Sequence, residues 1–302
     1  MKLSLVIATY NRSQSLLRAL ESVVRQSVAP EQWECVVVNN NSTDTTAVDF
    51  ADFAAVHPRF NLRMVDEPKQ GLSNARNCGI ANSTGEYIAI VDDDETLVPE
   101  YIEAYIAFFD GCDAMAAGGA VIPRYENARP KWLSRYTEQM IANPICFGRG
   151  VKRFPASRIP AGGNMAFRRE VFAKYGGFNP ALGRNGASLA GGEESDLFER
   201  MRAGGEVLYY VGRAAIYHHI PDEKLTAERF ARLSYAVGRS KYLRAELHGT
   251  EAALIADERR KRLYTAVLAL FYTLTFRHPK AQWLIAMRRG IGEGIADARR
   301  GK

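Results

Sequence analysis

The stretch "LSLVIA", residues 3–8, is a near-continuous apolar run. A run of this kind marks a strand covered on both faces. The pattern recurs in "WECVVV" at residues 33–38, "NLRMV" at residues 61–65 and "IAIV" at residues 88–91. Helix-like spacing from Ser13 to Val24 separates the first two runs, and "GLSNARNCGIANSTG" before the fourth reads as a short helix closed by Gly85. Strands alternating with helices imply an α/β chain with a mainly parallel, Rossmann-like sheet flanked by helices.

Sheets of this type bind ligands at the carboxyl ends of their strands. Polar clusters stand at those ends: "TYNR" after the first strand, "NNNSTD" after the second and "DDDE" after the fourth. Each cluster singly reads as an ordinary turn, and the acidic one also fits a solvated turn before a helix that starts at Pro99. Together they read as a site. In extended backbone residues i and i+2 share a side, so Asp92 and Asp94 converge while Asp93 points away. Two converging carboxylates repel unless a cation lies between them, and hard oxygen ligands suit Mg2+ or Mn2+. With no GxxxxGK[ST] loop, a diphosphate held through a metal is the expectation.

Composition narrows the class. At 302 residues and 47% hydrophobic content the chain can bury one large core or two modest ones. Cys35, Cys78, Cys112 and Cys146 have no CxxC spacing and read as reduced residues. The apolar start is shorter than a secretory leader, so the expected location is cytoplasmic, peripheral on the inner face of the cell membrane. The net charge of +6 is concentrated late, around the apolar run "LYTAVLALFYTLTF" at residues 263–276. As a helix that run is about 21 Å long, short of the roughly 30 Å hydrocarbon core, so it reads as an interfacial or buried helix.

The ordered strings "VIATYNR", "VVVNNNSTD", "GLSNARNCGIANSTGEYIAIVDDDE", "GGNMAFRREVF" and "GGEESDLFERMRAGG", spread over residues 4–205, resemble glycosyltransferase family 2. The resemblance implies a GT-A fold and a metal-dependent transferase of hexosyl type that uses nucleotide-diphosphate sugars. It covers roughly the first 220 residues. Thr9, Tyr10 and Arg12 fall where the family holds the nucleotide base, as does Asn39, in place of a usual aspartate. Gly71, Asn74 and Arg76 match the loop and helix start that line the nucleotide pocket, and Asn41, Asp92 and Asp93 are counted with it. Asp92 and Asp94 match the DxD metal motif. Gly163 and Asn164 match the segment beside donor sugar and acceptor. Glu194, with Glu193 before it, matches the catalytic carboxylate of the family's ED motif.

The implied reaction is single displacement with inversion, Glu194 taking the acceptor proton from the first turn of its helix, where the helix dipole favours a charged carboxylate. Asp196 is expected to pair with Arg200, four residues on. His218 is a further candidate metal ligand, the alternative being a partly buried histidine bonded to backbone. Trp132, Tyr136 and Phe147 either stack on sugar rings or anchor a loop. The expected division is a catalytic domain over 1–222, with a nucleotide-sugar half over 1–98 and an acceptor half over 99–222, then a helical extension over 223–302. The expected partners are the donor, a glycan or lipid-linked acceptor and a membrane surface, with no nucleic acid. The expected process is synthesis of cell-surface polysaccharide or glycolipid. Competing readings are a sugar nucleotidyltransferase, which lacks support because no basic glycine-rich loop follows the first strand, and a non-catalytic basic protein of membrane surfaces or polyanions.

Overall fold

Strand register decides where the polar clusters end up. In the computed structural model, which describes residues 1–186 and 189–301, β1 (Leu3–Thr9), β2 (Trp33–Asn39), β3 (Leu62–Asp66) and β4 (Tyr87–Asp92) run parallel in the order β3-β2-β1-β4. Thr9 pairs with Asn39, Asn39 with Asp66, and Ala8 with Asp92. Four strand ends therefore lie side by side, and their polar residues form one rim. β1 and β2 are buried along their whole length apart from a half-buried Ala8, as continuous apolar runs require.

The crossover helices are α1 (Ser13–Val23), α2 (Thr46–Val56) and α3 (Leu72–Ala81). α1 buries Leu16, Ala19, Leu20 and Val23, one stripe at helical spacing. α3 ends at Ala81 with Asn82 as its C-cap, so Gly85 does not close it. Gly85 instead serves close approach: a Cβ there would stand 2.5 Å from the Ser4 backbone nitrogen.

The acidic run is a turn between two strands. β4 ends at Asp92 and β5 (Glu95–Leu97) follows at once, while α4 starts at Tyr101, two residues after Pro99, with Glu100 as its N-cap. β6 (Ala116–Tyr125), β7 (Val151–Arg153), β8 (Asn164–Arg168) and β9 (Leu208–Ile220) complete a nine-stranded sheet of order β3-β2-β1-β4-β8-β6-β9-β5, with β7 on β9. Consecutive β4 and β5 are separated in that order by β8, β6 and β9. The two residues between them, Asp93 and Asp94, cannot span such a width, so the sheet curls until its far edge meets β4 at the acidic turn. β8 is antiparallel to β4 and places Asn164 opposite Val91, which carries Gly163 to the same rim.

The chain forms two compact units. Residues Met1–Arg124, Pro144–Ala181 and Glu193–His219 make the first, which holds the sheet, α1 to α4, and two further helices, Glu170–Tyr175 and Glu193–Ala203. Residues Tyr125–Asn143, Leu182–Gly192 and Ile220–Lys302 make the second. With helix Arg135–Ile141 named α5, Glu170–Tyr175 α6 and Glu193–Ala203 α7, the second unit holds α5, α8 (Ala227–Leu247), α9 (Glu251–Leu274) and α10 (His278–Arg299).

The second unit has its own core of Phe230, Leu284, Met287, Ile291 and Ile295. Trp132 stacks on Trp283 at 3.7 Å and meets Phe230 edge-on. Tyr136 bonds Tyr264, and Phe147, in the first unit, packs against Phe154 and Tyr210. All three aromatics weighed as sugar platforms are packing anchors here. No described helix is long and apolar enough to cross a membrane.

Candidate active site

The rim is organised by three acidic side chains and two arginines. Asp92, Asp94 and Glu95 each present a carboxylate oxygen, and these oxygens lie within 4.8 Å of one another. Asp93 faces the other way, accepting hydrogen bonds from Thr9 Oγ1 at 2.8 Å and Arg12 Nη1 at 3.1 Å. Asp93 thus points away from Asp92 and Asp94 as expected, but residues 93–94 form a turn, and strict alternation ends there because Glu95 comes back to the cluster. Arg12 Nη1 also lies 3.3 Å from Asp94 Oδ2.

Glu95 was not anticipated as a member of the cluster. It is buried, it accepts a bond from the Asp92 amide at 3.2 Å, and burial followed by repulsion from Asp92 and Asp94 pushes its carboxyl well above the ordinary range. Burial likewise pushes Asp93 up, to about 6. Carboxylates this crowded favour a bound cation, and an all-oxygen donor set fits a hard divalent ion. The sequence signal for Glu95 was its position at the end of the acidic run. His218, opposite Glu95 in the β5–β9 ladder, has Nε2 3.9 Å from Asp94 Oδ1 and so borders the cluster.

Arg76 ties the acidic turn to α7. Its Nη1 donates to Glu193 Oε1 at 2.7 Å, and its Nη2 donates to Asp92 Oδ1 at 2.8 Å and to the Gly162 carbonyl at 3.0 Å. Arg76 and Glu193 are both buried. Glu194 is half-buried and accepts from Ser195 Oγ at 3.3 Å. A Cβ on Gly162 would stand 3.3 Å from the Arg76 guanidinium and 3.7 Å from Glu194 Cγ, so this glycine leaves space between them. Asp196 pairs with Arg200 at 2.7 Å, as its spacing predicts.

Gly163 is held bare by its neighbour, because a Cβ would collide with the Glu95 carboxylate. Asn164 is fully buried: its Nδ2 donates to the Ala120 and Ala214 carbonyls and its Oδ1 accepts from Tyr105. Its amide braces β8 from behind the rim.

At the end of β2, Asn39 donates to Asp66 Oδ1 at 2.9 Å and accepts from the Ser42 amide, so a carboxylate stands beside the amide that replaces the family aspartate. Asn40, which sequence reasoning passed over, is buried and fastens the 67–71 loop. Its Nδ2 donates to the Glu67 and Lys69 carbonyls, and its Oδ1 accepts from the Gly71 amide. Gly71 adopts φ +138°, a conformation that favours glycine. Asn74 donates to the Gln70 carbonyl and Asn41 to the Pro68 carbonyl, while Tyr10 is exposed at the rim.

The family model described as Glycosyl transferase family 2 matches residues 4–176, more than half of the chain. The chain belongs to glycosyl transferase family 2. Among curated relatives, the glucosyl-dolichyl phosphate glucuronosyltransferase of Haloferax volcanii is 28% identical over 80% of this chain and 76% of its own length. The succinoglycan biosynthesis protein ExoM of Rhizobium meliloti is 25% identical over 82% of this chain and 77% of its own. The fold matches a solved mannosyltransferase, PcManGT from Pyrobaculum calidifontis in complex with GDP-Man and Mn2+, with TM-score 0.67, 17% identity, and coverage of 100% of this chain and 88% of that one. The mixed, curled sheet with C-terminal helices is thus the GT-A fold, and the rim is the candidate active site of a family 2 glycosyltransferase.

Proposed function

We propose that this family 2 glycosyltransferase moves a hexose from a nucleotide-diphosphate sugar to an acceptor hydroxyl with inversion, in polysaccharide or glycolipid synthesis. The observation that carries the reading is the convergence of Asp92, Asp94 and Glu95 on a rim that Arg76 links to α7. Residues 1–222 act as the catalytic domain, with the donor on 1–98 and the acceptor on 99–222, and 223–302 as a helical extension.

Thr9, Tyr10, Arg12, Asn39, Asn41, Gly71, Asn74 and Arg76 line or brace the nucleotide site. Asp66 joins Asn39 as an acceptor toward base N–H groups. Asp92, Asp94 and Glu95 would hold Mn2+ or Mg2+, with His218 beside them. Such an ion supplies stabilisation of negative charge on the departing diphosphate. Arg12 and Asp93 set the outer side of the turn.

Glu194 accepts the proton of the acceptor hydroxyl as the oxygen bonds to the anomeric carbon. The bond from that carbon to the diphosphate oxygen breaks on the opposite face, and the nucleoside diphosphate leaves with its electron pair. Glu193, held by Arg76, positions the first turn of α7. Gly163 and Asn164 stand beside the sugar, Gly163 by giving the Glu95 carboxylate its place and Asn164 by bracing the strand from behind. A lipid-linked acceptor, as in the name of the archaeal relative, is consistent with contact at the inner membrane face.

The test is a thermal-shift and turnover screen of UDP, GDP, dTDP and CMP sugars with Mn2+, on wild type and Asp94→Ala. Metal-dependent stabilisation by one nucleotide class, lost in the variant, is the expected result. No stabilisation by any donor in a folded protein would refute the reading.

A further inference from the structure

α9 carries an apolar stripe on its solvent side as well as on the side that packs. It buries Glu258, Thr265, Ala269 and Tyr272. Its opposite face bears Leu263, Val267, Leu270 and Leu274, spaced 4, 3 and 4 residues apart and 59–70% exposed. Phe271 and Phe276, at 53% and 86%, and Ile285 on α10 extend the stripe. Eight of the sixteen exposed large hydrophobic residues among the described residues lie between 263 and 285. Clustering on that scale marks a contact surface.

Cations frame the stripe. Residues 251–302, from the start of α9 onward, contain eleven lysines and arginines and five carboxylates, a charge of +6 that equals the net charge of the whole chain. Beside Leu270 and Ile285 a cleft of about 760 Å³ opens between α9 and α10, bounded by Arg262, Arg288 and Arg289. Arg288 is engaged by Glu258 at 2.6 Å. Arg262 has no carboxylate within ion-pair distance among the described residues, and it lies against Gly292, whose missing side chain gives it room. A second depression shares Arg262 and adds Arg259, Arg299 and Arg300.

We infer that this α9–α10 face docks on an anionic lipid bilayer, the apolar stripe entering the boundary of headgroups and acyl chains while Arg262, Arg289 and Arg299 meet lipid phosphates. A second copy of the chain would set one basic face against another, whereas an anionic bilayer complements it. The inference stands independently of the donor and acceptor proposed above.

The full chain is floated with vesicles of mixed phosphatidylglycerol and phosphatidylcholine, and with phosphatidylcholine alone. Binding to the anionic vesicles is expected, weaker by about tenfold or more on neutral vesicles and on raising salt from about 0.1 to about 0.5 M. The pairs Leu270→Glu with Leu274→Glu, and Arg262→Glu with Arg289→Glu, should each lose about tenfold while the thermal midpoint and nucleotide binding stay as in wild type. Absence of vesicle binding, or equal binding to neutral and anionic vesicles, overturns the inference. So does a dimer in light scattering that the leucine pair dissociates, which would assign the stripe to a second copy. The salt titration needs no variant, so misfolding of either pair leaves the test decisive.

Discussion

Arg76 and Glu193 form an ion pair of 2.7 Å with both side chains almost wholly removed from solvent, and the same guanidinium holds Asp92 at 2.8 Å. One arginine thereby fixes the distance between the acidic turn and the first turn of α7. Removing one partner of a buried pair strands the other charge, at about 3–5 kcal/mol. Arg76→Ala should lower unfolding free energy by that amount and abolish turnover, while Glu193→Gln, which keeps a hydrogen bond, should cost less. Urea midpoints with unchanged slopes would check both, and an Arg76→Ala loss below about 1 kcal/mol would contradict the account.

Glu95 lies in a cluster that repels itself. In the presence of a chelator, Glu95→Gln should raise the thermal midpoint, because a neutral amide relieves burial of charge beside Asp92 and Asp94. The same variant should bind Mn2+ more weakly. Stability and metal affinity moving in opposite directions is the signature to seek by thermal shift and calorimetry; a variant that lost both would point to a packing role.

Glu194 is the half-buried carboxylate at the start of α7. Glu194→Gln should reduce kcat by about 10²- to 10⁴-fold, the usual contribution of a general base, with donor affinity within about twofold of wild type. Single-turnover rates and donor titration separate the two. Turnover within about threefold of wild type would assign the base elsewhere.

Gly163→Ala drives a methyl group into the Glu95 carboxylate. The expected cost is about 1–3 kcal/mol, as for overpacking, with weaker metal binding as Glu95 is displaced. Unchanged metal affinity in a destabilised variant would separate the packing effect from the site.

Glu34 anchors the opposite end of the sheet, where it accepts from Ser4 Oγ at 2.6 Å, from Thr84 and from Arg63. Burial pushes its carboxyl up, but the hydrogen bonds from Ser4 and Thr84 outweigh this and leave it below the ordinary value of 4.5. A depressed folded value means the stabilisation is fully present above the unfolded value and is lost as pH falls through the folded one. Acid unfolding of Glu34→Gln should therefore start from lower stability at pH 7 and show a shallower decline below about pH 4.5 than wild type.

Much of this was legible along the chain. Apolar runs located β1 to β4, the turn residues after them located the rim, and Asp92 and Asp94 followed from two-residue alternation. These are local properties, written within a few residues of one another. What required the tertiary structure involved residues far apart in sequence. Glu95, though next to Asp94 in the chain, turns into the cluster only because its strand pairs with the distant β9. Arg76 meets Glu193 across 117 positions. Asn164, which matched a sugar-side motif, turned inward because two strand carbonyls needed a donor. The run at 263–276 could be read as core or interface, since spacing marks a stripe without saying which side it faces. Packing of α9 through Thr265, Ala269 and Tyr272 decided that it faces outward. Local pattern is enough for the strands, their polar ends and the family; which charges share a partner and which apolar face stays open follow from the register and curl of the sheet and from the packing of α9, which no local pattern encodes.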